Sequence, residues 1–151
     1  MRTFEYRHVV GFEDTNLVGN VYYVNHLKWQ GRCRELFLRQ HVPELLDELA
    51  SGLYLVTTRC SCEYQAEIFA FDEIAVRMSL AELAQNRMDL HFDYMRVAAG
   101  TRDGAAERAD ALELVARGGQ QVAVMRKEGE RVVPAPIPRA LREALRAYGG
   151  G

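Results

Sequence analysis

A long helical pattern followed almost entirely by strand patterns is the feature that most constrains the fold of this chain. Residues 22–40 (YYVNHLKWQGRCRELFLRQ) follow a helical period of about 100° per residue. The polar face of this predicted helix carries Lys28, Arg32, Glu35 and Arg39. The opposite arc is wide and apolar and carries Tyr23, Leu27, Cys33, Leu36, Phe37 and Leu38. Because so much of its surface is apolar, the helix must be largely wrapped by other structure.

Strand patterns occupy most of the remaining chain. A first alternating segment covers 2–12, and a short helix is predicted over 43–52, where Pro lies near the start and Gly near the end. Period-two patterns then predict strands over 53–68, 72–83, 87–99 and 108–129. We expect the last strand to be bulged at Gly118-Gly119. An extended proline segment and a short helix end the sequence. This order predicts an α+β fold, in which one long helix faces a strongly bent antiparallel sheet.

Composition argues against several classes of partner. The chain has 19 basic and 21 acidic residues, a net charge of -2 and no basic run, so neither nucleic acid nor an anionic membrane is an expected partner. No apolar stretch approaches the ~20 residues of a membrane span, and the N-terminal segment is too polar for a signal peptide. We therefore expect a cytoplasmic protein. At 151 residues, one domain over 1–151 is expected.

Several common active sites are absent from the sequence. There is no G-x-S-x-G elbow, no phosphate-binding glycine loop, no dinucleotide fingerprint and no H-E-x-x-H motif. The three cysteines are predicted to be reduced thiols, and Cys60 and Cys62 are more typical of ordinary strand residues than of a zinc site. No metal site is therefore expected.

Three segments carry a family resemblance: FEDTNLVGNVYYVNHLKW, CEYQAEIFAFDEI and the C-terminal VVPAPIP. These segments resemble the hotdog thioesterases of the 4-hydroxybenzoyl-CoA thioesterase type. In the order of its elements as well as in these motifs, the resemblance covers nearly the whole chain. Within that superfamily, EDTNLVGNVYYVNHLKWQGRCRE is similar to the thioesterases of enediyne polyketide biosynthesis. The resemblance implies a hotdog fold, in which a long central helix is wrapped by a curved antiparallel five-stranded sheet.

The resemblance also implies an unusual catalytic loop. The family's loop usually reads Asp-x-Asp, and its second Asp is the catalytic carboxylate, but this position is Asn16 here. An amide cannot take a proton from water at neutral pH or form an anhydride. The enediyne subfamily has this replacement and a recognised active-site arginine at the position of Arg34. The resemblance therefore implies that Asn16 and Arg34 are catalytic, with Asn16 and backbone amides stabilising the oxyanion and no carboxylate taking part.

Other interpretations of these residues stay open from the sequence alone. Asn16 is also typical of a turn. On the helical wheel Arg34 falls between Leu27 and Phe37-Leu38, so its charge points into or along the apolar arc. Such a side chain is also typical of an ion pair with Glu63, Glu67 or another carboxylate, or of a position at the helix edge. Asp14 is more typical of a turn or cap than of a general base. The candidate substrate-binding residues lie at the loop-to-helix junction, in the helix and on the next strand. They are Gly19, Asn20, Val21, Tyr22, Tyr23, His26 and Glu63. Gly19 is expected to allow a tight turn in the loop.

The function implied by the resemblance is hydrolysis of a β-keto, polyene acyl thioester. The partner is the acyl carrier protein domain of an iterative polyketide synthase, through its phosphopantetheine-linked acyl chain, and decarboxylation to a methyl ketone or polyene can follow. The family forms dimers with the active site between protomers, and commonly tetramers; no cofactor is implied. The alternatives are an acyl-CoA thioesterase of primary metabolism, a hotdog acyl-thioester dehydratase and a non-catalytic acyl-binding protein.

Overall fold

The helices and strands follow the predicted order. A computed structural model of the protein describes residues 2–100 and 112–150. The helices are α1 (Asn25–His41), α2 (Pro43–Ala50) and α3 (Arg139–Arg146). The strands are β1 (Phe4–Val9), β2 (Leu53–Tyr64), β3 (Glu73–Leu83), β4 (Arg87–Ala98), β5 (Glu113–Glu128) and β6 (Arg131–Pro134). Among these residues, no helix is long and apolar enough to cross a membrane.

All the strands form one antiparallel sheet in the order β1-β3-β4-β5-β2, with β6 paired to the end of β5. Helix α1 packs across the sheet, which confirms the hotdog arrangement and the α+β class. The described sheet has six strands rather than the predicted five, because a tight turn at Gly129 (φ 62°) folds β6 back onto β5. Strand β2 lies at one edge and pairs only with β5.

The buried stripe of α1 is narrower than the predicted apolar arc. Its centre is the series Trp29, Cys33 and Phe37, each almost fully buried, at helical spacing on the sheet side. Leu27 and Leu36, which the sequence places in the same arc, are only half-buried. The stripe also includes the polar side chains of His26 and Gln30.

Several predicted boundaries were too generous. Helix α1 begins at Asn25 rather than at 22, and the exposed Tyr22, Tyr23 and Val24 precede it. Strand β2 ends at Tyr64 rather than at 68, because the backbone N–H groups of Gln65 and Ala66 both donate to the Val115 carbonyl. Residues 108–111 of the predicted final strand lie outside the described residues, and β5 begins at Glu113.

The predicted bulge at Gly118-Gly119 is wrong. Both glycines pair in regular register with β2 and β4. The β5 register shift relative to β4 lies at Val115, and the one between β2 and β5 lies at Thr58. Gly118 instead leaves room for a helix side chain: the Gln30 Nε2 donates to the Ser61 carbonyl at 2.9 Å, directly over the glycine.

Asp14 fixes the loop between β1 and α1. Its buried carboxylate accepts hydrogen bonds from His8 Nε2 (2.8 Å) and from the Gly11 N–H (2.9 Å). Its backbone carbonyl accepts from the Tyr22 N–H (2.9 Å) and from Asn25 Nδ2 (2.8 Å). One residue therefore ties the loop to β1 on one side and to the start of α1 on the other. This arrangement supports the turn interpretation of Asp14.

Replacing Gly118 by Ala is expected to destabilise the protein by about 1–3 kcal/mol, because the new methyl group would overlap the Gln30 amide and the Ser61 carbonyl. Gly119→Ala is the matched control, since its Cβ would meet no atom nearer than 3.4 Å. Urea unfolding of both variants tests the difference, and equal free energies of unfolding would contradict it.

Asp14→Ala is expected to cost about 2–4 kcal/mol of stability, because it leaves the partly buried His8 ring and the Gly11 N–H without their acceptor. Glu13→Ala, at the exposed neighbouring carboxylate, is expected to change the free energy of unfolding by less than about 0.5 kcal/mol. Chemical denaturation measures both changes. A smaller loss in Asp14→Ala than in Glu13→Ala would contradict the role given to Asp14.

Candidate active site

Two of the cavities beside α1 contain predicted site residues. A groove of about 950 Å³ includes Arg34 in its wall, with Leu38, Leu49 and Leu55 at its apolar end. A smaller cavity of about 270 Å³ lies at the start of the helix. Its lining consists of Asn20, Val21, Tyr23, His26 and residues 64–68. Four of the predicted substrate-binding residues are thus brought together at the smaller cavity.

Asn16 lies on an exposed hairpin that leads into α1. Its backbone N–H donates to the Asn20 carbonyl (2.9 Å), and its side-chain Oδ1 accepts from the Val18 N–H (3.0 Å). This second bond orients the amide and leaves Nδ2 without an acceptor in the described part of the chain. Gly19 closes the hairpin with φ at 92°, a conformation that glycine adopts without strain. The Asn16 side-chain oxygen therefore stabilises the turn, whereas its Nδ2 group remains available to donate a hydrogen bond.

The backbone donors at the junction differ from those expected. The N–H groups of Gly19, Val21 and Tyr22 are already bonded to carbonyls within the chain. By contrast, across residues 2–100 and 112–150, no acceptor is recorded for the N–H groups of Tyr23 and Val24. Both lie at the positive end of the α1 dipole, where anionic oxygen is stabilised.

The smaller cavity is lined by a buried histidine and a half-buried asparagine that lack full hydrogen bonding. His26 is 3% exposed, and neither of its ring nitrogens has a hydrogen-bond partner among the described residues. Asn20 Nδ2 donates a long hydrogen bond to Glu67 Oε1 (3.4 Å), while its Oδ1 is unpaired and buried. Burial lowers the pKa of His26 to about 4, against a smaller opposing effect of the Tyr23 backbone carbonyl. His26 is therefore neutral at physiological pH.

Aromatic rings enclose His26. Tyr64 packs edge-on at 4.7 Å between ring centroids, and Trp29 and Tyr94 lie at 5.3 and 5.5 Å. Two of these rings are tied to backbone carbonyls: Tyr64 Oη donates to Tyr23 (2.7 Å), and Tyr94 Oη donates to His26 itself (2.6 Å). Packing of these rings therefore holds the imidazole in place.

Arg34 lies on the apolar side of the helix, as its position in the sequence predicts. It is half-buried, and its guanidinium donates to Thr57 Oγ1 (2.9 Å) and Gln120 Oε1 (3.0 Å). Within the described ranges, no carboxylate forms an ion pair with Arg34. The predicted alternative, a pair with Glu63 or Glu67, is therefore wrong for the single protomer. Desolvation lowers the pKa of Arg34, against a smaller opposing effect of the Glu35 carboxylate.

The remaining candidates lie apart from the smaller cavity. Glu63 is exposed on β2, and Tyr22 is exposed before α1, with its ring 4.9 Å from that of Tyr23. In one protomer, no recorded hydrogen bond joins Asn16 to Arg34, and each has its own set of partners. A single protomer therefore brings four of the predicted binding residues together, but it does not join the two predicted catalytic residues, Asn16 and Arg34.

Sequence reasoning missed Gln30, Tyr64, Glu67 and Gln120. Gln30 carried a usable signal, because it is polar and lies beside the apolar stripe of α1. It is 0% exposed, and its Oε1 has no partner in the described part of the chain. The other three come from β2, β5 and the loop after β2, and no local pattern links them to the helix.

Exposed apolar side chains gather around the loop and strand β2. These side chains are Phe12, Leu17, Val18, Tyr22, Tyr23, Val24, Tyr54, Val56, Tyr64 and Phe71. Residues 56–61 of β2 are exposed on both faces of the strand, although Thr57 points toward the helix side and bonds Arg34. An unpaired edge strand with uncovered apolar neighbours is typical of a surface that pairs with another chain.

The chain was compared with known proteins. Residues 10–145 match the model of the thioesterase-like superfamily. The crystal structure of the dynemicin thioesterase, from a study of polyene binding, is 45% identical, with a TM-score of 0.90 over 99% of both chains. The 4-hydroxybenzoyl-CoA thioesterase of Pseudomonas sp. strain CBS-3 shares the fold at 17% identity, with a TM-score of 0.74 over 95% of this chain and 99% of that one. A putative esterase of Aquifex aeolicus is 27% identical over 121 residues, which are 80% of this chain and 91% of the relative.

The match to the superfamily covers most of the chain, and the topology is that of the hotdog thioesterases. The predicted enzyme class, a thioester hydrolase, is confirmed. This chain belongs to the thioesterase-like superfamily.

Proposed function

We propose that this chain hydrolyses a β-keto, polyene acyl thioester on the acyl carrier protein domain of an iterative enediyne polyketide synthase. Similarity to the dynemicin thioesterase supports the substrate class. The observation that carries the proposal is the Asn16 amide, exposed where the family has a carboxylate and free to donate through Nδ2. It lies on the hairpin that leads directly to the unpaired N–H groups of Tyr23 and Val24.

The reaction needs an oxyanion site more than a nucleophilic side chain. Water adds to the thioester carbonyl, and the charge that develops on its oxygen is stabilised by Asn16 and backbone donors. Removal of one such donor costs about 3–4 kcal/mol of transition-state stabilisation in other enzymes. The tetrahedral intermediate expels the phosphopantetheine thiolate and leaves a β-keto acid, which can lose carbon dioxide through its own cyclic enol route. No carboxylate is required for this sequence.

Arg34 completes the site from a second protomer. An antiparallel pairing of two β2 edges about a two-fold axis places the C-terminal end of one β2 beside the N-terminal half of the other. The smaller cavity lies at the C-terminal end of β2, whereas Arg34 bonds Thr57 in the N-terminal half. Asn16 of one protomer and Arg34 of the partner subunit therefore approach one another across the interface. The assembly is a homodimer, and two dimers form a tetramer.

The alternatives have less support. A dehydratase pairs a histidine with a carboxylate, and the only such pair at the catalytic loop within the described residues is His8 with Asp14. That carboxylate already serves as the anchor of the loop. An acyl-CoA thioesterase uses the same chemistry with another carrier, and a non-catalytic acyl-binding protein would bind the same substrate without releasing thiol.

Arg34→Ala is expected to reduce kcat/KM at least 100-fold, because a charged donor is lost from the oxyanion site. Arg32→Ala is the matched control, since Arg32 is an exposed helix residue whose Nη1 bonds Glu35 at 2.8 Å. Release of free thiol from β-ketoacyl carrier-protein thioesters measures both. Binding of the thioester by the unaltered protein without thiol release would sink the thioesterase proposal. Equal rates for the two variants would instead contradict the role of Arg34.

Val56→Lys is expected to weaken self-association at least tenfold, because it adds a cation near Arg59 on the exposed β2 edge that two protomers share. Val132→Lys is the control, since Val132 is a similarly exposed valine on β6. Sedimentation velocity over a range of concentrations gives the dissociation constants. If Val56→Lys associates as tightly as Val132→Lys, β2 is not the interface.

A further inference from the structure

The two unpaired polar side chains in the smaller cavity need a specific kind of partner. Neutral His26 offers one N–H donor and one nitrogen acceptor, and the unpaired Asn20 Oδ1 offers an acceptor. The bond from Asn20 Nδ2 to Glu67 fixes this orientation of the amide. A bound molecule must therefore donate hydrogen bonds to Asn20 Oδ1 and to the acceptor nitrogen of His26, and must accept one from the His26 N–H.

A water molecule fits this requirement, whereas a β-keto thioester does not. The keto form of the acyl group has only acceptor oxygens, so the acyl group cannot satisfy Asn20 Oδ1 or the acceptor nitrogen of His26. Water donates two hydrogen bonds and accepts others, and the cavity of about 270 Å³ is large enough for several molecules. Buried polar groups without partners are rare in folded proteins, so the pair points to an occupant rather than to a packing defect.

We propose that His26 is the general base of the reaction, and that His26 and Asn20 together hold the water that attacks the thioester carbonyl. This proposal rests on the proposed thioesterase activity. As the water oxygen bonds to the carbonyl carbon, one water proton passes to the imidazole. The oxyanion then collapses, the carbon–sulfur bond breaks, and the imidazolium returns the proton to the departing thiolate. The products are a carboxylic acid and a free thiol, with no other reactant.

The strength of this base suits the task. Burial holds the pKa of His26 near 4, which is close to that of an ordinary aspartate. An imidazole of this strength provides the same proton affinity as the carboxylate that Asn16 replaces. It does so without adding a negative charge near the developing oxyanion, which a carboxylate base would repel.

Other titratable groups around the ring have to be separated from His26 in a pH experiment. They are Tyr23, Tyr64, Tyr94 and Glu67. Burial raises the pKa of Tyr64 to about 12 and raises that of Tyr94 further, so neither titrates below neutrality. Glu67 is the carboxylate that lines the same cavity, and a Glu67→Gln variant separates its contribution from that of His26.

The test compares His26→Gln and His26→Phe with His41→Gln, a histidine at the far end of α1 that bonds Tyr148. Thiol release is measured from the β-ketooctanoyl thioester of N-acetylcysteamine in water and with added hydroxylamine. A general base accounts for about 10²–10⁴-fold in rate, so hydrolysis by both His26 variants should fall at least 100-fold. Hydroxylamine is a strong nucleophile that needs no base, so its reaction should stay within about fivefold of the unaltered protein. His41→Gln should match the unaltered protein in both reactions.

The pH dependence provides the second readout. Hydrolysis by the unaltered protein should decline as pH falls through about 4, where His26 gains its proton. This decline should remain in Glu67→Gln and disappear in the His26 variants. Retained hydrolysis in His26→Gln, or equal losses of both reactions in variants that melt normally, would overturn the role of His26. If the unaltered protein releases no thiol, the thioesterase proposal fails as well.

Discussion

Packing of α1 against one face of the sheet is the constraint on which the rest of the structure depends. The buried series Trp29, Cys33 and Phe37 fixes the rotation of the helix about its axis. That rotation turns Gln30 toward Gly118 and Arg34 toward Thr57 and Gln120. It also places the start of α1 next to the loop that Asp14 anchors. The apolar packing of the helix thus determines which polar contacts Gln30 and Arg34 make.

This packing separates the polar groups of the protomer into two sets. The hairpin with Asn16, the Tyr23 and Val24 N–H groups and the smaller cavity lie at the beginning of α1, whereas Arg34 lies about two and a half turns along it toward β2. Each set is incomplete for acyl transfer: the first lacks a cation, and the second lacks an oxyanion site. The unpaired edge of β2 lies between them. The two-fold dimer that we propose would therefore complete two sites at once.

The sequence predicted those parts of the molecule that depend on local periodicity and local turn chemistry. The order of the helices and strands, the position of Arg34 on the apolar side and the turn at Gly19 all follow from residues within a few positions of one another. The failures involve partners far apart in sequence. Gly118 and Gly119 read as a bulge because glycine in a strand often marks one, but the reason for Gly118 is the side chain of Gln30. The burial of His26 likewise depends on Tyr64 and Tyr94 from distant strands, and no sequence window contains all three.

The replacement of a catalytic carboxylate by Asn16 is consistent with the electrostatics of the whole site. A carboxylate at this position would accept hydrogen bonds, and its negative charge would oppose the oxyanion that forms during thioester cleavage. In the proposed site an amide donates instead, and it adds to the positive end of the α1 dipole and to the guanidinium of Arg34 from the second protomer. Such a site stabilises negative charge from several directions but contributes no proton acceptor of its own. In the mechanism we propose, the neutral, buried imidazole of His26 supplies that acceptor without cancelling the positive field, and the same apolar surroundings that keep His26 uncharged also strengthen the donors around the oxyanion.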